Sequence, residues 1–530
     1  MRNLVLTGFM GTGKTSVGRL VAERLGRPFV DMDALVEVRA GKPITRIFAE
    51  EGEPHFRAIE AALCRELSER SGLVIATGGG ALIDPENRAV MAERGILVCL
   101  RADAEAVLSR VGSSTDRPLL QSADPQAAIA RLLASREEAY AAIPWQVNTT
   151  GRSLEEIAEA VAGLTDVQTL RVPHHEGAYE IHIGSGVLAY LGAILRATGV
   201  TPGARVVVVT NTVVEPLYAE QVETALRSAE LRTTRVVIPD GEAHKILATV
   251  EQLYDAFLAA DLDRSGLVVA LGGGVTGDIA GFAAATYMRG VRLVQVPTTL
   301  LAMTDSSVGG KTGVDLPQGK NLVGAFKHPE LVFIDVRVLD TLPAVEYRSG
   351  LAEVIKHGVV GDPVLFDALG RRLRDGDVPV TPELLARSIL TKVGVVSEDP
   401  HEMGRRAVLN LGHTTAHALE RLSRYTLRHG EAVSIGMVAA SKLAVALEIA
   451  DHDVSAAIEN VLNVAGLPVR CPALPVASIL GAMRHDKKRR GAGLRWILPQ
   501  AIGAVGIYDD VPQRAVASVL AQMGAIADDR

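Results

Sequence analysis

Three stretches of this chain carry residue types at spacings that do chemistry. Gly8-Phe9-Met10-Gly11-Thr12-Gly13-Lys14-Thr15 fits G-x-x-x-x-G-K-[ST] at every fixed position. The backbone N–H groups of such a loop cradle a β-phosphate, its lysine reaches the β/γ oxygens, and its hydroxyl ligates Mg²⁺. Gly272-Gly273-Gly274-Val275-Thr276-Gly277-Asp278 is a second glycine turn, of the kind that lets a backbone approach a pyrophosphate. Its usual companion, an acidic residue about 20 positions on that holds a ribose, is missing, because no carboxylate follows Asp278 before Asp305. Glu242 and Lys245 are the candidates for that ribose. The third stretch gathers His413, His417 and His429 behind Glu353. Spacing alone makes His413 and His417 a metal pair on one helix face, with His429 as rival, and two histidines with a glutamate form one ligand set for a catalytic zinc.

A phosphoryl donor needs an acceptor. Asp31 and Asp33 put two carboxylates at one strand end, Arg57 follows on a helix, and Thr77-Gly78-Gly79-Gly80 ends another strand. The polar segment Ser113 to Leu120 reads as a lid that carries Arg117 over the phosphates and excludes water, and Arg136 lies on the next helix. Asp33 can serve as base, with Arg57 and Arg136 as the anion clamp. Beyond the second glycine turn, Pro297-Thr298-Thr299, Asp305-Ser306-Ser307, Gly309-Gly310-Lys311 and Gly319-Lys320-Asn321 line another polar site.

These residues need elements to hold them. Leu4–Thr7 and Leu267–Leu271 read as buried strands, each feeding its glycine turn and then a helix. Phe29, Leu73–Ala76, Arg205–Asn211 and Val236–Ile238 add further strands, so strand–helix units repeat and the sheets are mostly parallel. Ser153–Val161 reads as a closing helix and Val167–Val172 as a strand of the next module. After Leu342 the pattern turns helical. The fold class is α/β, with boundaries at 1–165, 166–328 and 329–530.

At 530 residues the chain exceeds one core. A net charge of −7 excludes a nucleic-acid surface held by bulk positive field, so anionic ligands must meet local cations. Three cysteines with no C-x-x-C fit a reducing cytoplasm, and the N-terminus reaches a glycine loop too early for a signal peptide. The run Ala432–Ala450 carries Lys442 and reads as a buried helix rather than a membrane span.

In residues 1–165 the ordered motifs G-x-x-G-x-G-K-T, D-x-D, F-R-x-x-E, G-G-G and D-R-P-L-L closely resemble shikimate kinase. The resemblance implies a three-layer α/β/α P-loop fold that binds ATP with Mg²⁺ through Gly11, Thr12, Gly13, Lys14, Thr15, Ser16, Arg110 and Arg117, the metal falling to Thr15 and, through water, Asp31. It implies shikimate bound by Asp33, Arg57, Gly79, Gly80 and Arg136, with Lys14, Asp33 and Arg117 in catalysis.

In residues 166–530, G-G-G-V-x-G-D, Y-M-R-G, V-P-T-T-L-L-A-M-x-D-S-S-x-G-G-K-T, G-K-N, A-E-V-I-K, N-x-G-H-x-x-x-H and H-G-E-A-V resemble 3-dehydroquinate synthase. That family implies a Rossmann-like NAD domain followed by a helical metal domain, with Zn²⁺ (or Co²⁺) on Glu353, His413 and His429 and with His417 beside the substrate instead. It implies NAD⁺ at Asn211, Glu242, Lys245, Gly273, Gly274, Val275, Asp278, Thr298, Thr299, Lys320, Thr341 and Glu346. The substrate, 3-deoxy-arabino-heptulosonate 7-phosphate, would meet Asp305, Lys311, Asn321, Lys356, Lys392, Arg406, Asn410, His417 and Lys487. Lys311, Lys356, Arg406, His417 and Arg289 take the catalytic part, Arg289 reaching across a homodimer interface. Implied overall is a cytoplasmic bifunctional enzyme with small-molecule substrates and neither nucleic-acid nor membrane partners. Two rival readings are a metal-dependent polyol dehydrogenase in the second part and a module that senses nucleotide without turnover.

Overall fold

Apolar runs bounded by glycine turns become strands buried on both faces, the environment of a parallel sheet. In the computed structural model, which describes residues 1–111, 124–174, 177–377, 380–399, 404–424, 426–490 and 495–527 with the side chains of 125 and 485–490 left aside, β1 (Asn3–Gly8) is buried at every position. With β2 (Phe29–Asp31), β3 (Val74–Ala76), β4 (Gly95–Arg101) and β5 (Trp145–Asn148) it forms a sheet ordered β2-β3-β1-β4-β5, parallel throughout. The chain divides into two compact units. This sheet belongs to the first, made of Met1–Val167, Ser185–Ala204 and Gln221–Arg232. Ser153 closes a capping box at the start of the helix Leu154–Gly163.

The second unit comprises Gln168–Gly184, Arg205–Glu220 and Thr233–Arg530. Its strands are β6 (Gln168–His174), β7 (Gly177–Gly184), β8 (Arg205–Asn211), β9 (Arg232–Ile238), β10 (Leu267–Gly272), β11 (Arg292–Pro297) and β14 (Leu331–Asp335). They form a seven-stranded sheet in the order β6-β7-β14-β11-β10-β8-β9. The central pairs β7/β14, β14/β11, β11/β10 and β10/β8 are parallel, and β6 adds an antiparallel edge to β7. Valines and leucines fill the buried faces of β8 and β10, packing with Ile279, Ala283 and Phe282 of the helix Gly274–Thr286.

Besides the β6–β7 pair, two hairpins among the described residues were not expected from the sequence. One joins β12 (Lys311–Leu316) to β13 (Gly319–Phe326), so the Lys311 and Lys320-Asn321 motifs lie on paired strands. The other joins β15 (Trp496–Ala501) to β16 (Ala504–Tyr508), so the half after Leu342 is helical but not wholly so. The apolar run from Ala432 falls in the helix His429–Ala446, nearly all buried. No helix among the described residues is long and apolar enough to cross a membrane.

Three helices of this half meet through glycines. A Cβ on Gly430 would stand 2.0 Å from the carbonyl oxygen of Ser349, and one on Gly436 would stand 2.0 Å from that of Gly412. The helix His429–Ala446 therefore lies against both Ala344–Gly361 and the entry to His413–Leu422 at a spacing no larger side chain permits.

Candidate active sites

In the first unit β1 ends in the phosphate-binding loop and the helix Lys14–Leu25. Lys14 Nζ donates to the carbonyls of Gly8 and Phe9, at 3.0 Å each, which holds its ammonium over the loop. Thr15 Oγ1 donates to Asp31 Oδ2 at 2.9 Å, while Asp31 Oδ1 accepts from Asp33 N at 3.1 Å and so caps the next helix. Ser16 is exposed on the first turn. The Arg110 guanidinium is pinned at the loop's rim by Thr149 O at 2.6 Å, Thr149 Oγ1 at 2.9 Å and Gly11 O at 3.4 Å.

Facing this loop, the glycine turn after β3 collects the acceptor candidates. A Cβ on Gly80 would lie 2.5 Å from Arg57 Nη1, and one on Gly78 would lie 2.8 Å from Asp33 Oδ1 and 2.5 Å from Glu60 Oε1. Arg136 donates to Gly79 O at 3.3 Å and stacks over Phe9, and the Tyr140 hydroxyl donates to the same carbonyl at 2.8 Å. Glu60, the glutamate of the F-R-x-x-E motif, was not placed in the site from sequence; it is 2% exposed and ion-pairs with Arg57, and burial pushes its carboxyl up while the guanidinium pulls against that. Its signal was there: Arg57 and Glu60 are i, i+3 on one helix. Arg117 and the segment read as a lid lie outside the described residues.

In the second unit β10 empties into the helix Gly274–Thr286, with Gly273 as its N-cap. A Cβ on Gly273 would meet Thr299 Cγ2 at 3.2 Å, and one on Gly274 would meet Ser306 Oγ at 3.0 Å. Thr298 N donates to Gly272 O at 2.9 Å, so the threonine pair closes over the turn. The cradle is open only because these positions lack side chains, which suits a pyrophosphate at a helix N-terminus. Asn211 spans the ends of β8 and β9, donating to Asp240 Oδ1 at 2.7 Å and accepting from Val214 N at 2.8 Å. The two ribose candidates are held in separate pairs. Glu242 meets Lys320 at 2.9 Å, and Lys245 Nζ donates to Asp278 Oδ2 and Asn321 Oδ1, both at 2.6 Å. Val275 packs on the core of this sheet, Thr341 bonds the Tyr218 hydroxyl at 2.6 Å, and Glu346 pairs with Arg428 at 2.9 Å. Arg289 is exposed, with a left-handed φ of 64°.

A cavity of about 500 Å³ opens beside this cradle. Asp305, Lys311, Asn321, Lys356, Lys392, Arg406 and Asn410 line it together with Asp278, His413 and Ser306; Thr312, to which no site was assigned from sequence, also faces it. His417 stands behind His413, rings edge to face at 5.4 Å, and the Lys487 side chain lies outside the described set. Lys392 Nζ donates to Asp305 Oδ1 at 2.6 Å; burial lowers the ammonium's pKa, and the carboxyl is held low because Lys392 and Lys356 outweigh its own desolvation. Burial pushes Asp278 up to about 6 against the pull of Lys245.

Next to the cavity, which His413 helps to line, Glu353, His413 and His429 bring one candidate ligand atom each to within 4.8 Å of one another. His429 Nε2 lies 3.4 Å and His413 Nε2 3.8 Å from Glu353 Oε1. Each imidazole turns its other nitrogen to an acceptor, His413 Nδ1 to Leu411 O at 3.1 Å and His429 Nδ1 to Glu420 Oε1 at 3.2 Å, which fixes both Nε2 atoms toward the centre. Glu353 is 1% exposed, and neither of its oxygens accepts a well-directed hydrogen bond, although the Lys356 ammonium pairs with it. Burial works against its charge, yet Lys356 and the histidines hold the carboxyl well below its usual range. Burial and Lys356 drop His413 to about 3; burial opposes the His429 cation, but Glu353 and Glu420 raise it to about 10. Two nitrogens and a buried carboxylate that accepts no well-directed hydrogen bond, beside an open cavity, fit a divalent cation with a free position. The third member is His429, from a different helix, and not His417 as spacing along one helix suggests.

The curated 3-dehydroquinate synthase of Thermosynechococcus vestitus (strain NIES-2133 / IAM M-273 / BP-1) is 46% identical over 362 residues, covering 67% of this chain and 98% of that protein. The chain belongs to the 3-dehydroquinate synthase family. Family models for the N-terminal and C-terminal parts of 3-dehydroquinate synthase match residues 235–349 and 350–489, and the shikimate kinase model matches residues 10–164. The synthase of Geobacter metallireducens (strain ATCC 53774 / DSM 7210 / GS-15) is 47% identical, covering 64% of this chain and 95% of its own length. Among solved structures, the 2-epi-5-epi-valiolone synthase ValA of Streptomyces hygroscopicus subsp. jinggangensis 5008, with NAD⁺ and Zn²⁺ bound, matches at TM-score 0.59 and 30% identity over 65% of this chain and 96% of that one. A shikimate kinase and a 3-dehydroquinate synthase are thus joined in one polypeptide, and the polyol dehydrogenase reading of the synthase part falls away.

Proposed function

We propose that the first unit transfers the γ-phosphoryl group of Mg-ATP to the 3-hydroxyl of shikimate, and that the synthase part converts 3-deoxy-arabino-heptulosonate 7-phosphate to 3-dehydroquinate and phosphate with NAD⁺ and a divalent metal. The observation that carries the reading is the pairing, within one chain, of the Lys14–Thr15–Asp31 phosphate end with Asp33, and of the Glu353–His413–His429 triangle with a lysine-rich cavity.

In the kinase Lys14 and Arg117 meet the phosphates, with Arg110 at the nucleotide rim. Thr15 and, through water, Asp31 would hold Mg²⁺, which when bound supplies charge neutralisation at the phosphates. Arg57, fixed by Glu60, clamps the acceptor carboxylate with Arg136, and Asp33 accepts the hydroxyl proton as that oxygen attacks.

In the synthase Glu353, His413 and His429 would hold Zn²⁺ or Co²⁺, which supplies Lewis acidity at a ring hydroxyl. The Gly273–Gly274 turn, Asn211, Asp278 and the Thr298–Thr299 pair would seat NAD⁺, which supplies a hydride acceptor that is restored within the same turnover. Lys311, Lys356, Lys392, Arg406 and Asn321 orient the anionic substrate, and Asp305 keeps Lys392 placed. Holding one conformer while the carbocycle closes is their remaining task. The reading includes cytoplasmic residence, boundaries near 165 and 328, and a homodimer to which exposed Arg289 contributes. Purified protein assayed separately for ADP formation with shikimate and for phosphate release with the heptulosonate should do both; absence of either reaction overturns that half.

A further inference from the structure

A second cavity, about 610 Å³, lies behind the polar one within the same unit. Its walls are Val172 and Pro173 of β6, Val393 and Val396 of the helix Pro382–Glu398, and a set of rings. The His174 and His328 imidazoles stack at 4.2 Å with planes 21° apart, and Tyr179 adds its face at 6.2 Å from His328. The Tyr179 hydroxyl accepts from Gly309 N at 3.2 Å, and burial pushes its pKa to about 12, so the phenol is neutral. Among the described residues, no carboxylate belongs to this lining. Arg406 does, and it is 6% exposed. Together with Val308 and Phe326 it also lines the substrate cavity, so the two spaces share one wall.

This chemistry differs from that of the neighbouring cavity. A polyhydroxylated phosphate would leave its hydroxyls unpaired against valines and rings, which is unfavourable for each buried group. Flat apolar surface gains there instead, because parallel imidazole and phenol faces stack with another ring. One buried guanidinium at the end of such a slot selects a planar carboxylate. The volume falls within the range of small-molecule pockets, about 300–1,000 Å³.

We propose that this cavity binds a small aromatic or indolic monocarboxylate, its ring against the His174–His328 stack and its carboxylate on Arg406. Occupancy draws Arg406 away from the substrate cavity, so the ligand raises the synthase KM and leaves kcat near its free value. Binding itself does not depend on the assignment of activity; only the inhibition rests on the synthase reading.

Calorimetry on the full-length chain with indole-3-acetate tests it without turnover. Indole-3-acetate should bind with a Kd on the order of 0.1 mM, whereas acetate, which lacks the ring, and indole-3-ethanol, which lacks the charge, should bind at least about tenfold more weakly. Val396→Trp fills the slot with an indole of its own and should lose the binding while keeping synthase kcat and KM. His174→Ala removes half the stack and should weaken binding in the same direction, which keeps the test valid if the tryptophan variant fails to fold. Equal affinity for indole-3-ethanol, unchanged affinity in both variants, or inhibition that lowers kcat with KM unchanged would overturn the proposal. A chain that binds indole-3-acetate as described but never turns over the heptulosonate would sink the activity assignment and leave the site standing.

Discussion

Gly436 lies so close to Gly412 that a Cβ added to it would stand 2.0 Å from the Gly412 carbonyl oxygen. That contact sets how His413, the next residue, faces His429 and Glu353 on two other helices. Gly436→Ala must part the helices by more than an ångström to restore ordinary contact. Overpacking of this kind costs about 1–3 kcal/mol. The larger effect should be on the triangle, whose Nε2 atoms now lie 3.4 and 3.8 Å from Glu353 Oε1. Metal affinity should fall by about 10–100-fold, the usual penalty for disturbing ligand support. Competition with a zinc indicator measures this directly, and unchanged affinity would refute the link.

Stripping metal separates the two activities. A zinc-selective chelator, used with Mg²⁺ in excess, should abolish phosphate release from the heptulosonate and spare ADP formation with shikimate, since Thr15 and Asp31 belong to the first unit. Glu353→Gln should lower metal content while the phosphate loop is untouched. Atomic absorption on the purified variant reads this without any assay of turnover. Synthase activity that survives complete metal loss would contradict the assignment.

The parts of the fold legible in the sequence were those with local causes. Leu267–Leu271 is an uninterrupted apolar strand and the glycines after it permit one kind of turn; the same holds for Leu4–Thr7 and its loop. The hairpin from Lys311 to Phe326 was not legible, because its alternation is broken by glycines and by polar residues that serve the cavity. The metal triangle shows the other limit. His413 and His417 share a helix, so periodicity pairs them, but His429 reaches Glu353 only through helix approaches fixed at Gly430 and Gly436, a long-range cause that motif resemblance carried and spacing did not. Glu60 and Glu420 went unassigned because each acts through a partner, Arg57 and His429.

Asp278 gives the synthase unit a signed pH dependence. Its carboxyl titrates near 6 when folded and near 3.9 when unfolded. Between these values the folded chain holds the extra proton, so this group's contribution is complete at low pH and is lost as pH rises to about 6. A shift of ~2 units corresponds to at most ~3 kcal/mol. Asp278→Asn removes the titration. Wild type minus variant, the unfolding free energy should decline from pH 4 to pH 7, and a flat difference would show that Lys245 offsets the burial fully.

In the kinase unit two carboxylates at one glycine turn should fail in different ways. Asp33→Asn removes the proton acceptor and should lower kcat by about 10²–10⁴-fold with little change in ATP binding. Glu60→Gln keeps shape and burial but removes the charge that holds Arg57, which among the described residues then keeps exposed Glu53 as its acidic partner. The clamp on the acceptor carboxylate loosens, so the KM for shikimate should rise by about tenfold while kcat and the KM for ATP stay near wild type, a change of roughly 1.4 kcal/mol in acceptor binding. Initial-rate kinetics over both substrates separate the two patterns. Should Glu60→Gln lower kcat as Asp33→Asn does, Glu60 would share in proton transfer rather than position Arg57, a reading open to it because burial already pushes its carboxyl upward.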